Sequence, residues 1–303
     1  MITLVTLISR LPFAVLHRLS DCLYFVLFYG LKYRRKIVRT NLQNSFPEMS
    51  PAERLKIEKK FYRNFCDILV ESIKYITISE AEFRRRLTFF NLEIPKRLLS
   101  EGKSAAVLCG HLGNWDTLGL ASAMAFPHEG FGVYKPLSNK KFDELIIHSR
   151  GRFGMKLVSI QKLRAVLNEA HGRVFAVGLM GDQAPHHYAK SFQLPFLHQD
   201  TFVMPGPGVI CVQRNLTPVW VWMKRTERSC FELGMEELVE VGDTDWTESE
   251  KEQITRIAGL NELTFAQAGC AFQIVKEYSA RLEAQIRLAP ADWLWSHRRW
   301  KTR

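Results

Sequence analysis

A histidine and a carboxylate stand five positions apart in Gly110-His111-Leu112-Gly113-Asn114-Trp115-Asp116. An imidazole whose one nitrogen is held by a carboxylate keeps the other nitrogen free as a base, which makes His111 and Asp116 the candidate catalytic pair. Inside a regular helix the two side chains would point roughly 140° apart and would not meet. They meet if His111 sits in the turn before a helix and Asp116 in its first turn. Free N–H groups near Leu112 to Asn114 would then serve a developing oxyanion. The positive helix end would also favour the neutral imidazole that a base needs. Taken alone, the spacing equally describes a helix-capping Asp beside an unrelated His.

The elements around the pair are legible. Ser104 to Cys109 is small, β-branched and uncharged and stops at a glycine, the pattern of a buried strand. After Asp116, Leu118, Leu120, Ala121, Met124 and Ala125 follow helical spacing. His111 is therefore expected where a strand ends and a helix begins, the place where α/β proteins put their sites. Further strands are predicted at 131–134, 156–160, 174–179, 218–223 and 230–235. Helices are predicted near 114–126, 138–150, 161–171 and 206–214, with a long one over 263–287. This alternation predicts an α/β fold, a mixed sheet sandwiched by helices. Upstream, residues 51–87 read as helical, with an apolar stripe through Leu55, Phe61, Phe65 and Ile68. Ser50-Pro51-Ala52-Glu53 supplies a capping box with proline in the first turn, and Ser79 and Glu82 open a second short helix.

Composition narrows the setting. With 303 residues, 47% hydrophobic and 24% charged, the chain can bury an ample core and is not disordered. Its net charge of +11 favours anionic partners: a phospholipid surface, nucleic acid or an acidic carrier protein. The 6 cysteines are scattered without CxxC spacing, as expected of free thiols on the reducing side of a membrane. Residues 2–31 are rich in Leu, Val and Phe, but Arg10, His17, Arg18 and Asp21 interrupt them, so no secretory signal is read. The cleanest apolar run, Cys22 to Leu31, is too short for a hydrocarbon core of ~30 Å. The basic cluster Lys32, Arg34, Arg35, Lys36 and Arg39 follows it directly. The pattern predicts a membrane-associating segment over 1–36, attached to an anionic leaflet without a complete span, and one globular domain over 37–303.

With these elements placed, the chain resembles the bacterial lipid A late acyltransferases, the lauroyl/myristoyl family. Gly110 to Asp116 is similar to that family's GHxGNWE/D signature. Tyr134-Lys135-Pro136-Leu137, with Arg150 and Gly154 beyond it, resembles the second block, and Gly181-Asp182-Gln183-Ala184-Pro185 the third. The ending Pro290-Ala291-Asp292-Trp293-Leu294-Trp295-Ser296-His297-Arg298-Arg299-Trp300-Lys301 is similar to a PxxWLWxHRRWK terminus. The resemblance implies an acyltransferase-like fold with an N-terminal helical membrane-anchoring segment. It implies transfer of a fatty acyl chain from acyl carrier protein to a hydroxyl of a lipid A precursor, at the cytoplasmic face of the inner membrane. His111 would be the base and Asp116 its orienter, with substrate-binding roles for Asn114, Lys135, Arg150, Asp182 and Gln183. Lys135 and Arg150 suit phosphate or sugar, since Arg pairs with phosphate in a bidentate way. Asp182 and Gln183 suit positioning of the acceptor rather than proton transfer. Many members carry Glu where this chain has Asp116, which shortens the reach to the histidine.

Thioester-to-alcohol transfer needs a base, an oxyanion site and a thiol leaving group, so no cofactor and no metal are expected. Cys109 would share a strand face with His111 as an acyl-cysteine nucleophile, but in an apolar strand it reads more readily as a small core residue. His186-His187 point to opposite sides of an extended chain, without a third ligand at suitable spacing, and read as a surface loop. The Trp and Arg residues of the tail suit a membrane interface as well as base stacking. No helix-turn-helix, RNP or zinc-finger pattern supports nucleic acid as a partner. Other acceptors (a lysophospholipid, an aminolipid, a glycolipid), a thioesterase, and a non-catalytic membrane-attached lipid-binding protein remain open alternatives.

Overall fold

The apolar N-terminus folds into short helices that turn back on the body of the protein. In the computed structural model, which describes residues 2–238 and 245–300, these are α1 (Ile2–Ser9), α2 (Phe13–Phe25), a π-helical turn (Val26–Gly30) and α3 (Arg35–Ser45). One face of this stretch is core: Phe13, Leu16, Tyr24, Phe28, Val38 and Leu42 are buried. The other face stays apolar and open, with Leu4, Leu7, Phe25, Val26, Tyr29 and Leu31 each more than half exposed. Among the described residues no single helix is long and apolar enough to cross a membrane. Phe13–Gly30 and Arg35–Ser45 reach that length and apolarity only as a pair, bent by 86°. The basic cluster after them is partly committed to the protein itself. Arg35 and Arg39 both pair with the buried Glu58, and Arg34 donates to the carbonyl of Ser296.

The helical stretch expected over 51–87 forms two helices, each at its expected cap. α4 (Pro51–Lys74) opens on the Ser50–Glu53 capping box, and α5 (Glu80–Arg84) on Ser79, whose side chain accepts from the Glu82 N–H. β1 (Leu87–Phe90) and α6 (Glu93–Ser100) follow. The α/β alternation then runs β2 (Ala105–Cys109), α7 (Trp115–Ala125), β3 (Glu129–Tyr134), α8 (Lys140–Gly151), β4 (Lys156–Ser159), α9 (Leu163–Glu169) and β5 (Phe175–Met180). A hairpin of β6 (Phe192–Phe196) and β7 (Gln199–Val203) leads to α10 (Gly206–Arg214). A second hairpin of β8 (Thr217–Glu227) and β9 (Cys230–Glu237) precedes α11 (Glu248–Asn261) and α12 (Phe265–Leu288).

The seven-stranded sheet has the order β1-β9-β8-β2-β5-β3-β4. Every neighbouring pair is parallel except β8–β9, so the sheet is mixed, and helices cover it. Side chains alternate between its faces. Ala106, Leu108, Val177 and Leu179 share a core with Tyr278, Leu282 and Ile286 of α12 and with the N-terminal helices. Val107, Cys109 and Ala176 face the core of Leu118, Ala121 and Ala125 from α7.

The tail folds differently from an interfacial motif. Trp293 and Trp295 are buried, at 2% and 0% exposure, and Arg299 is buried with Nη1 donating to the carbonyl of Phe202. Pro290 follows the end of α12, and residues 289–300 lie as a packed strap against the turn after β2 and against β7. Lys301 falls outside the described residues.

Candidate active site

Two parallel neighbouring strands build the site. β2 and β5 pair in register with Cys109 opposite Met180. Each strand then continues through one glycine, Gly110 and Gly181, so His111 and Asp182 both emerge two residues past the last paired position. Gly110 has a local reason: a Cβ there would stand 2.6 Å from Leu282 Cδ1. The turn onto α7 passes Gly113, at φ +57, a conformation that favours glycine.

His111 Nδ1 lies 2.7 Å from Asp182 Oδ1, and the His111 backbone N–H donates to Asp182 Oδ2 at 2.9 Å. The Trp293 indole N–H donates to that same Oδ2 at 2.9 Å. Asp182 is thus a buried carboxylate with three N–H donors. Burial alone would raise its pKa, but the charge and hydrogen bonds of His111 and the Trp293 donor hold it well below the usual carboxylate range. For His111, burial is the largest influence and lowers the pKa. Asp182, by charge and hydrogen bond, and the charge of Asp116 outweigh it, so the imidazole sits above its ordinary value of 6.5 despite Arg150. The expected preference for a neutral imidazole at a helix start is therefore overridden by two nearby carboxylates.

The expected hydrogen bond from His111 to Asp116 is replaced by the one to Asp182. Asn114 is the N-cap of α7, its Oδ1 accepting from the N–H groups of Asp116 and Thr117. Asp116 consequently lies one step into the helix and turns to α8, where Arg150 Nε and Nη2 reach its Oδ1 at 2.8 and 2.7 Å. Asn114 itself is fully buried and its Nδ2 donates to Glu71, so it stands behind the site and not in the cleft expected of a substrate contact. The Leu112 and Gly113 N–H groups, expected as oxyanion donors, are engaged by the carbonyls of Gly110 and Asp292.

The remaining expected residues do line the cleft. Lys135 and Arg150 stand at its rim, and Gln183 places Nε2 3.4 Å from His111 Nε2. With Nδ1–H donated to Asp182, Nε2 carries the lone pair and faces the cleft. The cleft holds about 650 Å³ and descends from His111 and Trp115 between α7 and the sheet, over a mainly apolar lining. Cys109 is buried, and burial pushes its thiol far up, which suits a core residue and not a nucleophile. His186 and His187 lie exposed in a loop, as expected, and His186 also borders the cleft.

Two supports escaped the sequence reading. The C-terminal strap is one: besides the Trp293 indole, the Leu294 N–H donates to the carbonyl of His111, and Trp293 bridges Leu112. The dense Trp and Arg of the tail were the available signal, but that composition reads equally as an interface. The other is Glu71 of α4, at 0% exposure, paired with Arg225 of β8 and bonded to Asn114 and Ser229. Asp67 and Glu71, one turn apart on a mainly apolar helix, hint at buried pairs, but the Arg225 partner of Glu71 lies 154 residues away.

The model of the family described as "Bacterial lipid A biosynthesis acyltransferase" matches residues 1–302. The chain is 23% identical over 295 residues to the lipid A biosynthesis palmitoleoyltransferase of Escherichia coli K12, covering 97% of this chain and 87% of that one. The Shigella flexneri lipid A biosynthesis acyltransferase gives the same figures. The lipid A biosynthesis lauroyltransferase of Escherichia coli K12 is 26% identical over 162 residues, 53% of this chain and 52% of that one.

Proposed function

Because the chain belongs to the bacterial lipid A biosynthesis acyltransferase family, we propose that it moves a fatty acyl group from the thioester of acyl carrier protein to a hydroxyl of a lipid A precursor. The observation that carries this reading is a His–Asp pair, 2.7 Å apart, at the mouth of a long apolar cleft. In the proposed reaction His111 Nε2 takes the proton of the acceptor hydroxyl while its oxygen adds to the thioester carbonyl. The tetrahedral oxyanion collapses, the C–S bond breaks, and the leaving thiolate takes the proton back from Nε2. Asp182 orients the ring and stabilises the imidazolium that forms transiently. Arg150, held by Asp116, faces the cleft with Lys135 and Gln183 and supplies donors for phosphate or sugar on the acceptor.

Membrane attachment at the cytoplasmic face of the inner membrane is part of the same reading. Exposed Leu4, Leu7, Phe25, Val26, Tyr29 and Leu31 form an apolar surface on helices whose other face is already packed, as a helix lying in a bilayer interface would present. An acidic carrier protein is supported by the net charge of +11 and by a hollow of about 530 Å³ lined by Arg10, Lys74, His148 and Arg152 without any carboxylate. Mass spectrometry of lipid A from cells with and without the gene tests the reading, with His111→Ala as complement. One acyl chain should be lost without the gene and restored by wild type only; restoration by His111→Ala would refute the proposed base.

A further inference from the structure

Helix–sheet interfaces are normally filled by large interdigitating side chains. Where α7 crosses the sheet, both sides carry small ones instead. The stripe of α7 that lines the cleft begins at Trp115 and Leu118, thins to Gly119, Ser122 and Ala123, and is closed by Phe126 just past the helix. Opposite it the sheet presents Gly178 and Gly132 in one layer, then Ala176 and Gly130 in the next. A Cβ added at Gly119 or Gly130 would meet nothing within 4 Å, and at Gly178 only the carbonyl of Phe131 at 3.8 Å. Gly119, Gly130 and Gly178 thus border open space, whereas Gly132 accommodates Met155, whose Sδ would clash with a Cβ there.

The slot has a length as well as a width. From Met180 down to Ala176 the strand descends about 13 Å at ~3.3 Å per residue. From Trp115 to Phe126 the helix side descends about 16 Å at ~1.5 Å per residue. His111 stands at the open end, with its ring centroid 5.5 Å from that of Trp115, and Phe126 at the closed end is 4% exposed.

We propose that the acyl chain of the thioester lies in this slot with its methyl end against Phe126, which sets the longest chain accepted, and that Gly119 and Gly130 keep the slot open to that depth. The assignment rests on the acyl-transfer reading for its chemistry, but its test does not. A straight chain gains about fourfold in affinity per methylene while apolar surface is being buried, and gains nothing once the end wall is reached. Leucine at Gly119 obstructs the middle of the slot and leucine at Gly130 its base. Neither position has positive φ, so the backbone accepts both.

The test titrates the full chain with a ladder of saturated fatty acids of about eight to sixteen carbons, each added methylene read as its own step in affinity. Wild-type affinity should climb and then level off. Gly130→Leu should level off at a shorter chain and Gly119→Leu at a shorter one still, while Phe126→Ala climbs further. A uniform loss at every length, or no change in the break point in all three variants, would overturn the slot. The same ladder presented as carrier-protein thioesters, with transfer to a lipid A precursor measured, separates the two readings. Length-dependent binding without transfer removes the acyl-transfer reading and leaves the slot. Transfer whose length profile ignores Gly119→Leu and Gly130→Leu removes the slot and leaves the transfer.

Discussion

Trp293→Phe isolates what the C-terminal strap does for the site. The change keeps an aromatic ring but removes the indole N–H that stands 2.9 Å from Asp182 Oδ2. A hydrogen bond to a buried charged acceptor contributes about 1.5–3 kcal/mol. The smaller ring adds about 1 kcal/mol, at ~24 cal/mol per Å³ of cavity left among Trp295, Phe196 and Trp300. The variant should thus lose roughly 2.5–4 kcal/mol and melt about 5–15 °C lower, given ~2–4 °C per kcal/mol for a chain of this size class. Catalysis should fall further than stability alone explains. Asp182 then keeps only the two His111 donors, and a loosened orienter costs kcat about 10- to 100-fold.

Trp295→Phe is the matched control. Trp295 is equally buried and also loses an indole N–H, but that group donates to the carbonyl of Pro290, away from Asp182. Its kcat at a temperature where both variants are folded should stay within about threefold of wild type. The pH profile adds a signature that packing does not produce. Trp293 is one of the groups holding the Asp182 carboxylate down, so removing it leaves more of that charge for His111. The acid limb of kcat should therefore move to higher pH in Trp293→Phe and stay put in Trp295→Phe. Equal kcat and equal pH profiles in the two variants would refute a positioning role for Trp293.

Other outcomes follow from the same geometry. Asp182→Asn removes the acceptor that fixes the His111 tautomer and should lower kcat about 10³-fold or more, at least tenfold below Asp116→Asn; the reverse order, measured with one donor and acceptor, would reinstate Asp116 as the orienter. A base works only when neutral, and His111 is held above 6.5, so kcat/KM should rise with pH through an apparent pKa higher than that. Asp116→Asn deletes a charge that raises His111 and should shift this limb to lower pH; a shift upward would contradict the assignment. Glu71→Gln strands Arg225 in the interior and should cost about 3–5 kcal/mol in a denaturant titration, whereas a surface-like change under 1 kcal/mol would rule out the buried pair. Arg10→Glu and His148→Glu should raise KM for acyl carrier protein thioester severalfold, an effect that fades at high salt; a salt-independent change would point away from carrier docking.

The parts of this fold that the sequence makes legible are those with local causes. Strand 105–109 is apolar and ends at a glycine, α7 has helical spacing, and the capping box at Ser50 sits just where α4 begins. β1 was hidden because its four residues follow α5 with only Arg85 and Arg86 between and no turn residue to mark the change, and β6 because Pro195 interrupts its alternation. α11 has only Ile254, Ile257 and Ala258 buried, too few apolar positions to stand out from a polar stretch. The same division runs through the site. His111 at a strand end is a local consequence. Its partner is not, because five residues along one chain is a weaker constraint than the register between two strands. Once β5 pairs with β2 at Cys109 and Met180, a single glycine on each strand delivers His111 and Asp182 to the same level. Asp116, nearer in sequence, is carried away by the cap that Asn114 makes for α7 and is left to Arg150. Sequence proximity thus selected the wrong carboxylate for the hydrogen bond, although the third motif block already contained the right one.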